Sequence, residues 1–151
     1  HTNDAISAVT RLADMGVEPY LLASSLLGVL AQRLVRCLCT ECREAVAPTG
    51  GEGAVLEQLG LPRATTVWRA TGCEACGHSG YRGRTGIYEL LLVDDGLRRL
   101  IHDESGEPVL RDAAARAGAR TLAVDGARWL TDGTTSLAEL LRVTGAASNG
   151  N

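Results

Sequence analysis

No lysine occurs in the 151 residues; all 15 basic side chains are arginine. A phosphate-cradling loop of the G-x-x-x-x-G-K-[ST] type depends on its lysine, so no such loop lies within this sequence. Phenylalanine is also absent and only two Trp and three Tyr are present, so an apolar core must be assembled from Leu, Val and Ala. The longest apolar run, Tyr20 to Ala31, carries Ser24 and Ser25 and reaches about 12 residues, where a membrane-spanning helix needs about 20. A net charge of −3 argues against general nucleic-acid binding, which works by neutralising phosphates. The chain opens on His1 rather than Met, without a charged-then-apolar leader. From these absences and from cysteines that look reduced, we expect a soluble, cytoplasmic piece of a longer protein. The remaining composition, 45% hydrophobic and 22% charged, is that of one medium globular domain or two small ones.

Cysteine is what this sequence does have. Cys39-Thr40-Glu41-Cys42 and Cys73-Glu74-Ala75-Cys76 form two C-x-x-C pairs, each placing two thiolates about one tight turn apart. Two such turns brought together make a closed tetrahedral sulfur site of the structural zinc kind. The intervening loop is longer than the roughly 15–20 residues of the common zinc pattern, but each doubling of a loop costs only about 0.6 kcal/mol. Two disulfides, a redox C-x-x-C or unrelated buried thiols are the competing readings. A redox motif needs no second copy, and nothing marks the chain as secreted. Cys37 lies two residues before Cys39, an offset poorly suited to shared ligation. His78 is a possible substitute ligand that four cysteines make unnecessary. His102 reads as a surface residue on a charged helix face, and Trp68 and Trp129 as packing residues.

The periodicity predicts two helices over residues 1–36. The first is capped from Thr2, Asn3 or Asp4 and carries Ile6, Val9, Leu12 and Ala13 on one face. The second opens at Pro19 and continues to about Arg36 on a stripe of Leu22, Leu26, Val29, Leu30 and Leu34, with Arg33 and Arg36 favouring its C-terminus. Residues 37–80 form the cysteine module, with a short helix near Ala54–Leu59 and a strand candidate over Thr66–Ala70. Its apolar residues are too sparse for a core of its own, so metal binding would supply folding energy there. Gly80 to Gly86 reads as a glycine-punctuated loop feeding a strand over Ile87–Val93. Helices are expected after Asp94 or Asp95, after Glu107-Pro108, and over Leu122–Leu130. The last follows a Ser136…Glu139 capping box. The tail 146–151 is small and polar and is expected to be disordered.

Four stretches, in order, resemble the type II secretion ATPases of the GspE family. They are His1-Thr2-Asn3-Asp4-Ala5; Leu30-Ala31-Gln32-Arg33-Leu34-Val35-Arg36 with Cys39-x-x-Cys42; Gly80-Tyr81-Arg82-Gly83-Arg84-Thr85-Gly86-Ile87-Tyr88-Glu89-Leu90-Leu91; and Thr134-Thr135-Ser136-Leu137-Ala138-Glu139-Leu140-Leu141-Arg142-Val143-Thr144. Asp14-Met15-Gly16-Val17-Glu18-Pro19-Tyr20 favours the secretion branch over the related type IV pilus assembly ATPases (PilB-like), the near alternative. A stand-alone zinc-bound interaction module is the other one. The resemblance implies an α/β protein, mostly helical in this portion: the C-terminal end of a RecA-like ATPase domain (1–36), a tetracysteine zinc subdomain (37–80) and a C-terminal helical subdomain (81–145). It implies a cytoplasmic hexamer that drives pseudopilus assembly, with ATP and Mg2+ in the parent protein and structural zinc at Cys39, Cys42, Cys73 and Cys76. The implied partners are its own copies and inner-membrane platform proteins, with peripheral membrane association through them and no nucleic acid. His1 resembles the last histidine of a box near the γ-phosphate, the catalytic candidate. Arg82 and Arg84 are the candidates for binding a nucleotide or a neighbouring subunit. The Walker A loop, the Asp box and the Walker B glutamate would precede His1. The chain by itself is therefore expected to release no phosphate from ATP above a protein-free blank; hydrolysis surviving contaminant controls would overturn the family reading.

Overall fold

Asp4 opens the first helix through its own carboxylate, which accepts from the Ser7 N–H at 2.8 Å. In a computed structural model, which describes residues 3–145, that helix is α1 (Ala5–Asp14). It is followed by α2 (Pro19–Ser25), β1 (Gly28–Leu38), β2 (Glu44–Val46), α3 (Glu52–Gln58), β3 (Val67–Arg69) and a 3-10 turn at Glu74–Cys76. Then come β4 (Tyr81–Leu92), α4 (Asp95–His102), α5 (Glu107–Arg116), α6 (Leu122–Gly126), α7 (Arg128–Thr131) and α8 (Leu137–Thr144). The fold is mixed α/β. Strands β1 and β4 pair, as do β2 and β3, the latter antiparallel with Ala45 opposite Trp68. His1 and the tail 146–151 lie outside the described residues.

Two expectations need correction. The helix expected from Pro19 to Arg36 stops at Ser25, and residues 28–38 form a strand. Leu30, Leu34 and their spacing satisfy a helical stripe and a strand alternation alike, so a short apolar run cannot separate the two. Pairing decides it. Val93 N–H donates to the Leu27 carbonyl at one end and Cys39 N–H to the Gly80 carbonyl at the other, so β1 and β4 run antiparallel. The second correction follows from the first: the expected loop at Gly80–Gly86 is largely strand, since β4 begins at Tyr81.

The described chain divides into two compact units, each made of two sequence segments: residues up to 32 with 88–121, and 33–87 with 122 onward. In the first, α1, α2, α4 and α5 gather Ile6, Val9, Leu22, Leu91, Leu97, Ile101 and Leu110 into one core. Glu89, nearly buried, accepts the first N–H of α1 from Ala5 at 3.0 Å, filling an orphan donor at that helix start. On the opposite side of the strands, Leu30, Tyr88, Leu90 and Leu92 are exposed. In the second unit, Val35 and Ile87 of the strands pack with Leu56, Leu59, Val67, Leu122, Leu130, Leu137 and Leu140. The cysteine module thus shares a core with residues on both sides of it in sequence.

A buried charge fixes this second unit. Glu139 is 1% exposed and its carboxylate accepts from the Arg36 N–H (3.1 Å), the Arg36 guanidinium (2.7 Å) and the Arg142 guanidinium (2.7 and 2.8 Å). Ser136 caps α8 by accepting from the Glu139 N–H at 3.1 Å. The return bond of a capping box is replaced by the pairing with Arg36, which connects α8 to β1. Burial pushes the Glu139 carboxyl up, but the bonds from Arg142 and Arg36 outweigh it and hold the group down at about 2. A depressed carboxylate contributes stability above its unfolded value near 4.5 and loses it as pH falls toward 2. Allowing for the partly exposed arginines, the contribution is about 2 kcal/mol. In thermal melts, Glu139→Gln should be less stable than wild type at pH 7, with the gap closing between pH 4.5 and 2; a pH-independent gap would rule the linkage out.

Candidate metal centre

Cys39 follows the last residue of β1, and its backbone carbonyl accepts from Cys42 N–H (3.3 Å) and Arg43 N–H (3.0 Å), folding the first C-x-x-C into a tight turn. The second pair repeats the device: the Cys73 carbonyl accepts from Cys76 N–H (3.2 Å) and His78 N–H (2.8 Å). Gly80 joins the two turns. Its carbonyl accepts from Cys39 N–H at 2.9 Å and its N–H points at the Cys76 sulfur at 3.2 Å. It does this at φ +76°, with the place of a Cβ only 2.6 Å from that of Ala70. A larger residue there would meet both strain and a clash. Thr71 adds a hydroxyl bond to the Cys42 carbonyl.

The four sulfurs converge. All lie within 4.8 Å of one another, with separations of 3.9 Å for Cys39–Cys73, 3.9 Å for Cys42–Cys76 and 3.8 Å for Cys73–Cys76. These are far longer than a disulfide bond of about 2.05 Å, and all five cysteines are free. A tetrahedral zinc with bonds of about 2.3 Å would hold its sulfurs about 3.8 Å apart. The donor set and its spacing fit such an ion. The N–H groups of Cys73 and Gly80 draw the Cys76 thiol down to about 6, while burial and neighbouring thiols push Cys73 up to about 11. Crowded thiols resist joint ionisation, and a cation among them reverses that balance. Cys37 does not join the group; burial and then Asp132 raise its pKa. His78 is exposed, outside the group, with φ +61°.

Around the centre, arginines lie over aromatic rings. Arg43 sits 4.5 Å from the Trp68 ring centroid and donates to the Asp132 and Gly133 carbonyls. Arg36 sits 4.0 Å from the Tyr81 centroid, and the Tyr81 hydroxyl meets that of Ser136 at 2.8 Å. Trp129 donates to the Gly86 carbonyl at 3.0 Å. Arg82 and Arg84 are exposed on β4, and their guanidinium groups have no hydrogen-bond or ionic partner among the described residues. Arg84 borders a shallow hollow with Arg36, Ser79, Tyr81 and Gly83. The Arg36–Glu139–Arg142 group escaped the sequence reading. Its one visible signal was a carboxylate between Leu137 and Leu140, which a capping box also explains.

The type II/IV secretion system protein family model matches residues 1–142. The chain belongs to this family. It is 57% identical to the type II secretion system protein HxcR of Pseudomonas aeruginosa over 95% of its length, which is 27% of that protein. It is 51% identical to the type II secretion system ATPase E of Vibrio cholerae, again over 95% of the chain and 28% of the relative. The type IV pilus assembly ATPase PilB of Thermus thermophilus is 43% identical over 93% of the chain and 16% of that protein. The chain thus spans little more than a quarter of the secretion relatives. For this family member, the sulfur geometry predicts about one zinc per chain in anaerobically purified protein. Cys39→Ser should lose the metal and loosen the two turns while the shared apolar core persists. Four titratable thiols with negligible metal would exclude the site.

Proposed function

We propose that the chain is the C-terminal part of the cytoplasmic hexameric ATPase that powers type II secretion by driving pseudopilus assembly. The observation that carries this is 51% identity to a secretion ATPase over 95% of the chain, covering 28% of that protein. Higher identity to secretion relatives than to the pilus relative supports the secretion branch. In this reading residues 1–36 end a RecA-like domain, 37–80 are a zinc subdomain and 81–145 a helical subdomain. Cys39, Cys42, Cys73 and Cys76 hold a structural zinc that fixes the turn bearing Gly80 and, next to it, the start of β4. The exposed apolar side of Leu30, Tyr88, Leu90 and Leu92 supports burial against the remaining polypeptide, since such patches on a free surface mark contacts. Among the described residues no helix is long and apolar enough to cross a membrane; in this reading the parent protein meets the inner membrane through platform proteins. ATP and Mg2+ bind the parent protein, and His1 is the candidate there for a role at the γ-phosphate.

Arg82 and Arg84 then serve an anion across a boundary, a nucleotide phosphate or a carboxylate of an adjacent subunit. Arginine's fixed charge and forked donors suit either. Their lack of partners supports this, and Arg84 is the stronger candidate because Arg36 and Tyr81 border the same hollow. In the assembled parent protein, Arg84→Ala should lower ATP hydrolysis at least about tenfold, or 1.4 kcal/mol. Zinc content and subunit melting temperature should not change. Loss of the hexamer in size-exclusion chromatography would assign Arg84 to the subunit contact, and an intact slow hexamer to the nucleotide. Wild-type hydrolysis would leave Arg84 a solvated surface residue.

A further inference from the structure

The first unit contains a groove between α1, α2 and the turn joining α4 to α5, lined by Val9, Ala13, Leu22, Ile101 and Leu110 among others. Val9, Leu22, Ile101 and Leu110 form its floor, each at most 6% exposed and belonging to the core beneath. Its volume is about 250 Å³, below the roughly 300–1,000 Å³ of pockets that enclose a whole small molecule. It has room for an aliphatic side chain or two, not for a nucleotide.

Its rim is of one sign. Asp14, Glu104 and Glu107 line it and no basic residue does. Glu107 is paired with Arg111, whereas the carboxylates of Asp14 and Glu104 are exposed and have no hydrogen-bond or ionic partner among the described residues. The backbone at Glu104 is informative. It follows the C-cap of α4 with φ +52°, a left-handed position where a side chain is disfavoured. At the equivalent position after α1, α3 and α5 the chain carries Gly16, Gly60 and Gly118. Only after α4, at the groove, does a carboxylate occupy it in this set.

We propose that this groove docks a peptide segment of a partner protein presenting one aliphatic side chain flanked by arginine or lysine. The apolar floor takes the aliphatic anchor, and Asp14 and Glu104 face its basic neighbours. Opposite charge at such a rim governs encounter and register more than affinity, so binding weakens with salt. The inference stands apart from the secretion assignment, since neither zinc nor ATP takes part.

The test uses the zinc-replete parent protein and a fluorescein-labelled peptide with a single leucine between arginines on an alanine background, read by fluorescence anisotropy. Wild type should bind it, but not the same peptide with glutamate in place of arginine. Asp14→Asn combined with Glu104→Gln should weaken binding at least about fivefold. Ala13→Phe, filling the groove from an exposed position, should abolish binding while circular dichroism stays unchanged. Asp112→Asn, outside the groove on α5, should have no effect. The proposal is overturned if wild type fails to bind, as it would if the rest of the parent chain covered the groove. It is also overturned if the charge variant binds as wild type does, or if Asp112→Asn weakens binding equally, which would mark unspecific charge attraction.

Discussion

A carboxylate taken almost wholly out of water is the constraint on which the second unit depends. Removing an ionised group from solvent costs several kcal/mol unless its oxygens are satisfied, and Glu139 meets that cost with bonds from two guanidinium groups and one backbone N–H. The consequences spread from there. Arg36, held by Glu139, lies over Tyr81; Tyr81 reaches Ser136; Ser136 caps the helix that carries Glu139. Thr135 closes the same circuit by donating to the Arg36 carbonyl at 2.8 Å. Strand, ring and helix cap are set together. The arginine that fixes the fold is also the one bordering the hollow beside Arg84.

The sulfur cluster sits at the far end of these same strands. Cys39 follows β1 directly, and Gly80 precedes β4 directly. The hydrogen bond between them continues the pairing of the strands into the metal centre. A metal held there would clamp the strand ends. The apolar residues of the module, Leu56, Leu59 and Val67, pack into a core supplied largely from outside it. The energy of a bound metal would therefore be concentrated at the two turns rather than spread over residues 37–80.

Each stretch that carried the family resemblance acquires a physical task. Ala5, which ends the first stretch and begins α1, donates its N–H to Glu89 of the third. The stretch ending at Arg36 meets the stretch containing Glu139. The glycine that opens the third stretch joins both cysteine turns. Residues about a hundred positions apart in the chain thus form single hydrogen-bonded groups. Among the described residues, the exposed arginines Arg82 and Arg84 on β4 are outside these groups.

How much of this was legible in the sequence depends on the range of the interaction. The C-x-x-C pairs pointed to a shared sulfur cluster because each short spacing puts two thiols on one tight turn, and the four sulfurs do converge. Helix starts were legible near Asp4, near Asp94 or Asp95 and at Ser136, and the structure uses Asp4, Asp94 and Ser136 as the acceptors, because a cap is decided within four residues. What lay beyond local reach was misread. Residues 28–38 and 81–86 became strand because each supplied the other with backbone partners, and neither segment's own pattern contains that information. Glu139 reads as a capping residue until Arg36, more than a hundred positions earlier, is placed beside it. The sequence by itself determined the two cysteine turns and the starts of α1, α4 and α8, where the deciding contacts are local. Only the tertiary structure decided which segments are strand and which charge is buried, because those depend on partners that folding alone brings together.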